Sequence, residues 1–303
     1  MDECDSPMTD NIEADYRQVH DTGVATCFLA GTNIEVVGQF TPGKPPQHVL
    51  FDFDGTLSLI REGWPDVMVP MMVEYLLETE TDESPEVLRD VCMKFIMELT
   101  GKQTIYQMIR LAEEIRKRGR TPLDPVEYKN EYHERLMCQI KSRREGLRNG
   151  SIDTAEMLVP GSFELLDALK ERQVPVYLAS GTDERYVREE VELLQLDRYF
   201  GPHVHGAVDD YKSFSKAQVI QRILANNNVD GTSLLGFGDG YVEVQNVHDV
   251  GGTAIAVASD ETNRSGEPDP WKRQRLIGAG AHAVVPDFAE GARLLDWLWN
   301  SRD

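Results

Sequence analysis

From residue 159 to its end, the chain alternates between short apolar runs and longer amphipathic stretches. The apolar runs have the length of strands, and the stretches between them carry apolar residues at helical spacing. This alternation predicts an α/β fold, a doubly wound parallel sheet covered by helices on both faces. We expect strands at residues 174–179, 233–237, 253–258 and 282–285, and helices at residues 162–172, 184–194, 216–226 and 289–299.

A long helical segment precedes this alternation, at residues 61–156. Ser84 stands before a proline and predicts a capped helix start. Asp124 and Glu127 form a capping box that opens a further helix, which we expect to run to about residue 146. Because a strand lies on each side of this segment, the sequence predicts a helical domain inserted into the α/β core.

The chain therefore divides into three predicted parts. Two short apolar runs near the N-terminus surround a Gly-Thr-Asn sequence, which is typical of a hairpin turn. The parts are an N-terminal extension at residues 1–46, with a possible short hairpin at 24–29 and 34–40; a core at residues 47–60 and 157–303; and a helical cap at residues 61–156.

The first strand of the core ends in two carboxylates. Residues 48–51 are an apolar run, and Asp52-Phe-Asp54-Gly55-Thr56 follows directly. A carboxylate at the end of a buried strand needs a metal ion, hydrogen bonds or a proton to offset its desolvation. Ligands of open parallel sheets bind at the carboxyl ends of the strands. We therefore expect Asp52 and Asp54 at the centre of an active site rather than in an exposed turn.

Two later strand ends also carry polar residues. They are Ser180-Gly181-Thr182 after the second core strand and Gly238-Asp239-Gly240 after a further strand. Since strand ends meet at one edge of a parallel sheet, we expect these residues to lie near Asp52.

From about residue 47 to the C-terminus, the chain resembles the haloacid dehalogenase (HAD) superfamily. The strand-end residues match its first, second and fourth motifs, and Glu243 completes the fourth. The third motif is a lysine near a helix start, for which we expect Lys216, after Ser215, with Lys212 as the alternative. The resemblance implies that Asp52 is a nucleophile that forms an acyl-phosphate and that Asp54 is the general acid and base. It also implies that Ser180 and Lys216 hold the oxygens of the transferring phosphoryl group. The expected reaction is hydrolysis of a phosphate monoester.

The resemblance further implies a Mg²⁺ cofactor. The expected ligands are Asp52, the backbone carbonyl of Asp54, Asp239 and Glu243. Two anions, the carboxylate and the phosphate, repel one another, and a cation offsets that repulsion. Glutamate is longer than the aspartate common at the position of Glu243, so contact with the metal through water is the alternative to direct contact.

The placement of the helical segment resembles the C1 cap of phosphoglycolate phosphatases and β-phosphoglucomutases. Such a cap excludes water and contacts the leaving group of a small phosphorylated metabolite. We expect substrate contacts from two groups: the strand-end residues Gly55, Thr56, Gly181 and Thr182, and the residues that lead into the cap, Arg61 and Trp64. The alternative for the last two is a surface charge and a cap-core residue, respectively.

The second aspartate separates several reactions of the superfamily. Asp54 argues against dehalogenation, because a halide leaves without a proton. A phosphomutase keeps both aspartates and is the main enzymatic alternative to a phosphatase. A catalytically silent phosphate-binding protein is the alternative from another class, and it would bind phosphate without turnover.

The net charge and the composition limit the classes of binding partner. A net charge of −21 and a pI near 4.7 argue against nucleic acid and anionic membrane, since either partner needs a basic surface. No apolar run is long enough to span a bilayer. The scattered cysteines, Cys4, Cys27, Cys92 and Cys138, predict free thiols in a reducing compartment, so we expect a cytoplasmic protein. The oligomeric state does not follow from the sequence.

Overall fold

The centre of the molecule is one eight-stranded sheet, in a computed structural model that describes residues 13–21, 23–208 and 210–300. The strands are β1 (Thr26–Phe28), β2 (Glu35–Val37), β3 (His48–Phe51), β4 (Val176–Asp183), β5 (Val204–Ala207), β6 (Leu234–Gly238), β7 (Thr253–Val257) and β8 (Ala283–Val285). Their order is β1-β2-β8-β7-β6-β3-β4-β5. The ladder from β8 to β5 is parallel throughout, which confirms the predicted fold class.

The helices lie on both faces of this sheet and in the segment inserted between β3 and β4. They are α1 (Pro65–Leu77), α2 (Pro85–Glu98), α3 (Thr104–Lys117), α4 (Pro125–Gln139), α5 (Lys141–Asn149), α6 (Ser162–Glu171), α7 (Glu184–Leu193), α8 (Asp197–Phe200), α9 (Lys216–Asn227), α10 (Tyr241–Asp249), α11 (Pro270–Gly278) and α12 (Gly291–Asn300). Successive side chains of a strand point to opposite faces. Accordingly, Val49 and Phe51 of β3 pack in one apolar core and Leu50 packs in the other. Within the described ranges, no helix is long and apolar enough to cross a membrane.

The N-terminal hairpin extends the core sheet. β1 pairs antiparallel with β2, and β2 pairs antiparallel with β8. The Glu35 carboxylate on β2 forms a two-pronged ion pair with Arg273 of α11, which ties the hairpin to the helical layer. The strands predicted at residues 24–29 and 34–40 are therefore present in shorter form, and they add an antiparallel edge to the parallel sheet.

The helices α1 to α5 all lie between β3 and β4, and one of them differs from the prediction. The single helix expected from residue 124 to about residue 146 is two helices, α4 and α5. Ile140 separates them, with φ −91° and ψ 4°, and its side chain is fully buried. The packing of this one side chain outweighs the helical periodicity around it, which is why the sequence pattern did not reveal the break. The capping box of Asp124 and Glu127 is present as predicted.

The chain enters and leaves this helical segment side by side. The Leu59 N–H donates to the Met157 carbonyl and the Val159 N–H donates to the Leu57 carbonyl, each at 2.9 Å. Both crossings lie beside the carboxyl end of β3. This is also the point where the strand order reverses, with β4 on one side of β3 and β6 on the other. Open α/β sheets bind their ligands at such a switch point.

Candidate active site

Asp52 lies directly after β3, at the carboxyl edge of the sheet. Its Oδ1 accepts a hydrogen bond from the Phe53 N–H at 2.8 Å, and its Oδ2 is 2.8 Å from the Nζ of Lys216. Burial raises the pKa of Asp52, and the nearby Glu243 carboxylate raises it further. Burial alone would lower the pKa of Lys216, but Asp52 and Glu243 raise it above its ordinary value. The result is a buried carboxylate beside a permanent cation.

The two candidate lysines occupy different environments. Lys216 is the first residue of α9, a helix capped by Ser215, whose Oγ accepts the Gln218 N–H at 3.2 Å. Its Nζ is also 2.7 Å from the Oε2 of Glu243. Lys212 is exposed, in a single turn of 3₁₀ helix. Of the two lysines, Lys216 is the one that lines the central cavity.

Asp54 lines the same cavity. Its Oδ2 accepts hydrogen bonds from the Thr182 hydroxyl at 2.9 Å and the Ser180 hydroxyl at 3.4 Å. Its Oδ1 is 3.6 Å from the Nε of Arg61 and has no hydrogen-bond partner among the described residues. The side chain is 27% exposed. Oδ2 is therefore held by two hydroxyl groups, and Oδ1 is buried beside the Arg61 guanidinium.

Three carboxylates lie close enough together to hold one metal ion. Oxygens of Asp52, Asp239 and Glu243 all lie within 4.8 Å of one another, and all three residues are buried. Burial raises the pKa of Asp239 to about 6, with Lys272 opposing the shift. Although burial opposes it, Lys216 lowers the pKa of Glu243. An all-oxygen donor set of this kind suits Mg²⁺ better than it suits a softer metal.

A second lysine approaches this cluster from α11. The Nζ of Lys272 is 2.9 Å from Asp239 Oδ2 and 2.6 Å from Glu261 Oε1, and it donates to the Ser259 hydroxyl at 3.1 Å. With Glu261 included, four carboxylates face two ammonium groups, which leaves an excess of two negative charges. That excess equals the charge of one divalent cation, so the residues present fit a magnesium ion.

Gly55 and Thr56 support Asp239 rather than projecting into the cavity together. The Thr56 hydroxyl accepts the Asp239 N–H at 2.9 Å and donates to Asp239 Oδ1 at 3.3 Å. Thr56 is fully buried and does not line the cavity, unlike Gly55. Gly55 has φ +74°, and a Cβ there would lie 2.1 Å from Asp239 Oδ2. Only glycine allows this approach.

The cap loop between α2 and α3 packs directly on the core. A Cβ on Gly181 would lie 2.8 Å from the Lys102 carbonyl, and a Cβ on Gly240 would lie 2.7 Å from the Gly101 Cα. Gly181 and Thr182 both line the cavity. The absence of side chains at these glycines lets the two backbones meet, and this contact covers the site with the cap.

The residues that lead into the cap also line the cavity. Trp64 is half-buried, and it packs against the main apolar core. Arg61 is 5% exposed, so its description as a surface charge is wrong. Its Nε and Nη2 form two hydrogen bonds with Glu190 of α7, at 3.0 and 2.9 Å. Arg61 was expected to contact a substrate, but in the structure its guanidinium forms this two-pronged contact within its own chain.

The structure adds site residues that the sequence did not indicate. These residues are Glu190, Glu261 and Lys272, which lie outside the motifs. In the sequence alone, each looks like an ordinary charged residue on the surface of a helix or loop. The only local signal is Asp269 before Pro270, which marks the start of α11 three residues before Lys272. Tyr132 of α4 reaches the cavity from the cap in the same way.

Comparison with known proteins agrees with this fold and site. The family model for haloacid dehalogenase-like hydrolases matches residues 46–249. A search of curated proteins gave no significant match. The structure resembles a predicted phosphoglycolate phosphatase of Haemophilus somnus 129pt, with 16% identity, a TM-score of 0.52, and coverage of 82% of this chain and 97% of the other.

Two further solved structures are similar. A HAD hydrolase of family IA, variant 3, from Entamoeba histolytica HM-1:IMSS has 18% identity and a TM-score of 0.53, and the match covers 83% of this chain and 99% of that one. A HAD family hydrolase from Deinococcus radiodurans R1, with bound phosphate and sodium, has 17% identity and a TM-score of 0.50, with 85% and 99% covered. At these identities the likeness concerns the fold.

The sheet with its switch-point carboxylates defines an α/β protein with a site at the carboxyl edge of its strands. Because the family model covers more than half of the chain, the protein belongs to the haloacid dehalogenase-like hydrolase family.

Proposed function

We propose that this protein is a magnesium-dependent phosphatase that hydrolyses small phosphate monoesters through an aspartyl-phosphate on Asp52. The observation that carries the proposal is that Asp52 and Asp54 line one cavity, with the Nζ of Lys216 2.8 Å from Asp52 Oδ2. Phosphoryl transfer needs a nucleophile, a proton donor and adjacent positive charge. The phosphate bound by the Deinococcus radiodurans relative supports a phosphate site in this fold.

The reaction has two steps. An oxygen of Asp52 attacks phosphorus, the bond from phosphorus to the ester oxygen breaks, and Asp54 gives its proton to the leaving oxygen. Asp54 then takes a proton from water, whose oxygen attacks phosphorus and breaks the bond to Asp52. Inorganic phosphate leaves, Asp52 is again a carboxylate and Asp54 again carries a proton.

Neighbouring residues orient these two groups. The Thr182 and Ser180 hydroxyls hold Oδ2 of Asp54 and so fix the orientation of the carboxyl group that exchanges the proton. Lys216 lies where it can neutralise the phosphoryl oxygens as well as Asp52. Gly181 lines the same cavity, where its backbone N–H would contact a phosphoryl oxygen.

Asp52, Asp239 and the backbone carbonyl of Asp54 would hold the magnesium ion. When bound, magnesium supplies positive charge that offsets the repulsion between the Asp52 carboxylate and the phosphate. Both oxygens of Glu243 are already engaged, Oε1 with the Gly240 N–H at 2.6 Å and Oε2 with Lys216 at 2.7 Å. These contacts favour a contact with magnesium through water for Glu243.

The first test is the nucleophile. Asp52→Asn should lower phosphate release from p-nitrophenyl phosphate by at least about 1,000-fold, because the amide is a poor nucleophile. Rapid quenching of the wild-type reaction, followed by peptide mass spectrometry, should locate a phosphoryl group on Asp52.

The matched control is Asp90→Asn, on the exposed face of α2 in the cap. We expect it to keep wild-type turnover, since it changes the same functional group far from the cavity. Near wild-type activity in the Asp52→Asn variant would show that another residue is the nucleophile. Phosphate transfer between two positions of one substrate, without release of inorganic phosphate, would favour a mutase.

A further inference from the structure

The cavity beside Asp52 and Asp54 has a second half, which the cap forms and which must hold the leaving group. The whole cavity has a volume of about 100 Å³, enough for a phosphoryl group and a few further atoms. The charged side chains that the cap-side lining contributes are Arg61, Glu62 and Lys102. Resting on the function proposed above, we infer that the leaving group is an uncharged, hydroxyl-bearing carbon chain rather than one with a carboxylate or a second phosphate.

Both cap-side cations already have anionic partners. Arg61 is held by Glu190 through two hydrogen bonds of 3.0 and 2.9 Å, and the side chains of both residues are at most 6% exposed. Lys102 Nζ is 2.6 Å from the Asp15 carboxylate and donates to the Glu13 carbonyl at 3.2 Å. The positive charge of each cation is therefore already offset by a carboxylate when no substrate is bound.

Glu62, the acidic residue of the cap-side lining, also has a partner of opposite charge. Glu62 is 3.4 Å from the guanidinium of Arg143, which also donates to the Glu62 backbone carbonyl at 2.8 Å. The cap side of the cavity is therefore close to neutral. An anionic leaving group would have to be buried there without a counter-ion, which is costly.

The uncharged lining groups suit hydroxyl groups and short carbon chains. Tyr132 is 4% exposed, and no described residue forms a hydrogen bond with its hydroxyl. Burial raises the pKa of Tyr132, so this phenol remains a neutral donor. Gln107 adds an amide to the lining, and Met68 and Trp64 add apolar surface. A polyol monoester can place CH groups on the apolar side chains and hydroxyl groups on Tyr132 and Gln107.

The decisive experiment compares two substrates that differ in one group. Glycerol 3-phosphate and 3-phosphoglycerate share the phosphate and the C2 hydroxyl, and they differ in a hydroxymethyl against a carboxylate. The wild-type enzyme with magnesium should show a kcat/KM at least about 100-fold higher for glycerol 3-phosphate, the size expected for an unpaired buried charge. Equal values, or a preference for 3-phosphoglycerate, would overturn the inference and leave the proposed phosphatase intact.

Two variants test which residues set this preference. Tyr132→Phe should lower kcat/KM for glycerol 3-phosphate about tenfold more than for ethyl phosphate, which has no hydroxyl to bind. Tyr75→Phe, a cap tyrosine whose hydroxyl bonds Glu131 outside the cavity, is the control and should affect both substrates equally. Equal losses on the two substrates in Tyr132→Phe would remove this residue from the recognition of the leaving group.

The second variant, Glu190→Gln, removes the anion that Arg61 now holds. It should raise the ratio of kcat/KM for 3-phosphoglycerate to that for glycerol 3-phosphate by about tenfold. An unchanged ratio in folded protein would contradict the role given to this ion pair. If Glu190→Gln does not fold, the wild-type substrate pair still decides. Failure of the wild-type enzyme to release phosphate from any ester, including p-nitrophenyl phosphate, would refute the proposed function itself.

Discussion

Lys216 holds together two carboxylates that would otherwise repel one another. Its ammonium lies 2.8 Å from Asp52 and 2.7 Å from Glu243, and all three side chains are buried. Without this cation the pKa of Asp52, which burial already raises, would rise further, and less of the nucleophile would be ionised. The lysine therefore serves the nucleophile before any substrate is present.

The corresponding prediction compares the two lysines. Lys216→Ala should lower kcat/KM for p-nitrophenyl phosphate by at least about 100-fold, since a preorganised charge next to the phosphoryl group is lost. Lys212→Ala should stay close to wild type, because Lys212 is exposed and does not line the cavity. Steady-state kinetics on both variants is sufficient. The opposite ranking would assign the phosphate lysine to residue 212.

A second residue-scale prediction concerns magnesium binding. Both carboxylates already have partners, but those of Asp239, Thr56 at 3.3 Å and Lys272 at 2.9 Å, are more distant. The partners of Glu243, Gly240 and Lys216, lie at 2.6 and 2.7 Å. Asp239→Asn should therefore weaken magnesium binding at least tenfold more than Glu243→Gln does. The shift in melting temperature on titration with magnesium, without substrate, measures this. Equal weakening would indicate that both carboxylates bind the ion directly.

The sequence predicted those site residues whose position follows from their own neighbours in the chain. Asp52 and Asp239 adjoin apolar runs that form strands, so a rule about strand ends was enough to bring them together. Lys216 follows a helix cap, and the family resemblance pointed to a lysine at that helix start. Lys272 and Glu190 reach the same place from α11 and α7. Their proximity depends on how distant elements pack, and a one-dimensional pattern of charges does not encode it.

At the scale of elements, the buried strands were the easiest part to predict, since β6 and β7 are short apolar runs between turn residues. Besides the four-residue α8, two helices, α10 and α11, were not predicted. α10 begins directly at the Gly238-Asp239-Gly240 loop, and all but three of its residues are buried, so it lacks the polar face that marks an amphipathic helix. α11 is short and rich in charge. Tertiary contacts rather than local pattern determine both.

Gly161 gives an element-scale prediction, because it joins the returning chain to α6. It has φ +80°, and a Cβ there would lie 2.2 Å from the Phe288 backbone. Gly161→Ala should therefore lower the free energy of unfolding by more than about 3 kcal/mol, combining backbone strain with a steric clash. Gly119, with φ +78° and no atom within 4 Å of its Cβ position, is the control. Gly119→Ala should cost only about 1 kcal/mol. Similar urea midpoints for the two variants would contradict the clash.

At the scale of the whole molecule, residues 13–21 connect the cap to the core. The Gln103 N–H in the cap loop donates to Glu13 Oε2 at 2.9 Å. On the core side, the Tyr241 hydroxyl donates to the Ala14 carbonyl, and the Gln245 amide donates to the Asp15 carbonyl, both at 3.3 Å. This segment thus forms hydrogen bonds both with the loop that covers the site and with α10 of the core.

Glu13 makes that connection sensitive to pH. It is 2% exposed, and burial raises its pKa from 4.5 to about 7. The folded state therefore binds this proton more tightly than the unfolded chain does. Its contribution to stability is complete below pH 4.5 and is lost as the pH rises towards 7, by about 3 kcal/mol at most, since one pKa unit corresponds to about 1.4 kcal/mol.

Glu13→Gln tests this contribution, because glutamine keeps the shape of the side chain and cannot ionise. The wild-type free energy of unfolding should fall relative to that of Glu13→Gln by about 2–3 kcal/mol between about pH 5 and about pH 8, measured by urea titration at each pH. The control is Glu192→Gln on the exposed face of α7, which should follow the wild type at both values. If the free energies of unfolding of wild type and Glu13→Gln change in parallel with pH, the pKa of Glu13 is not raised in the folded state. A difference of the expected sign would show that the cap–core connection strengthens on acidification, because protonation removes the cost of burying a charge between the cap loop and the sheet.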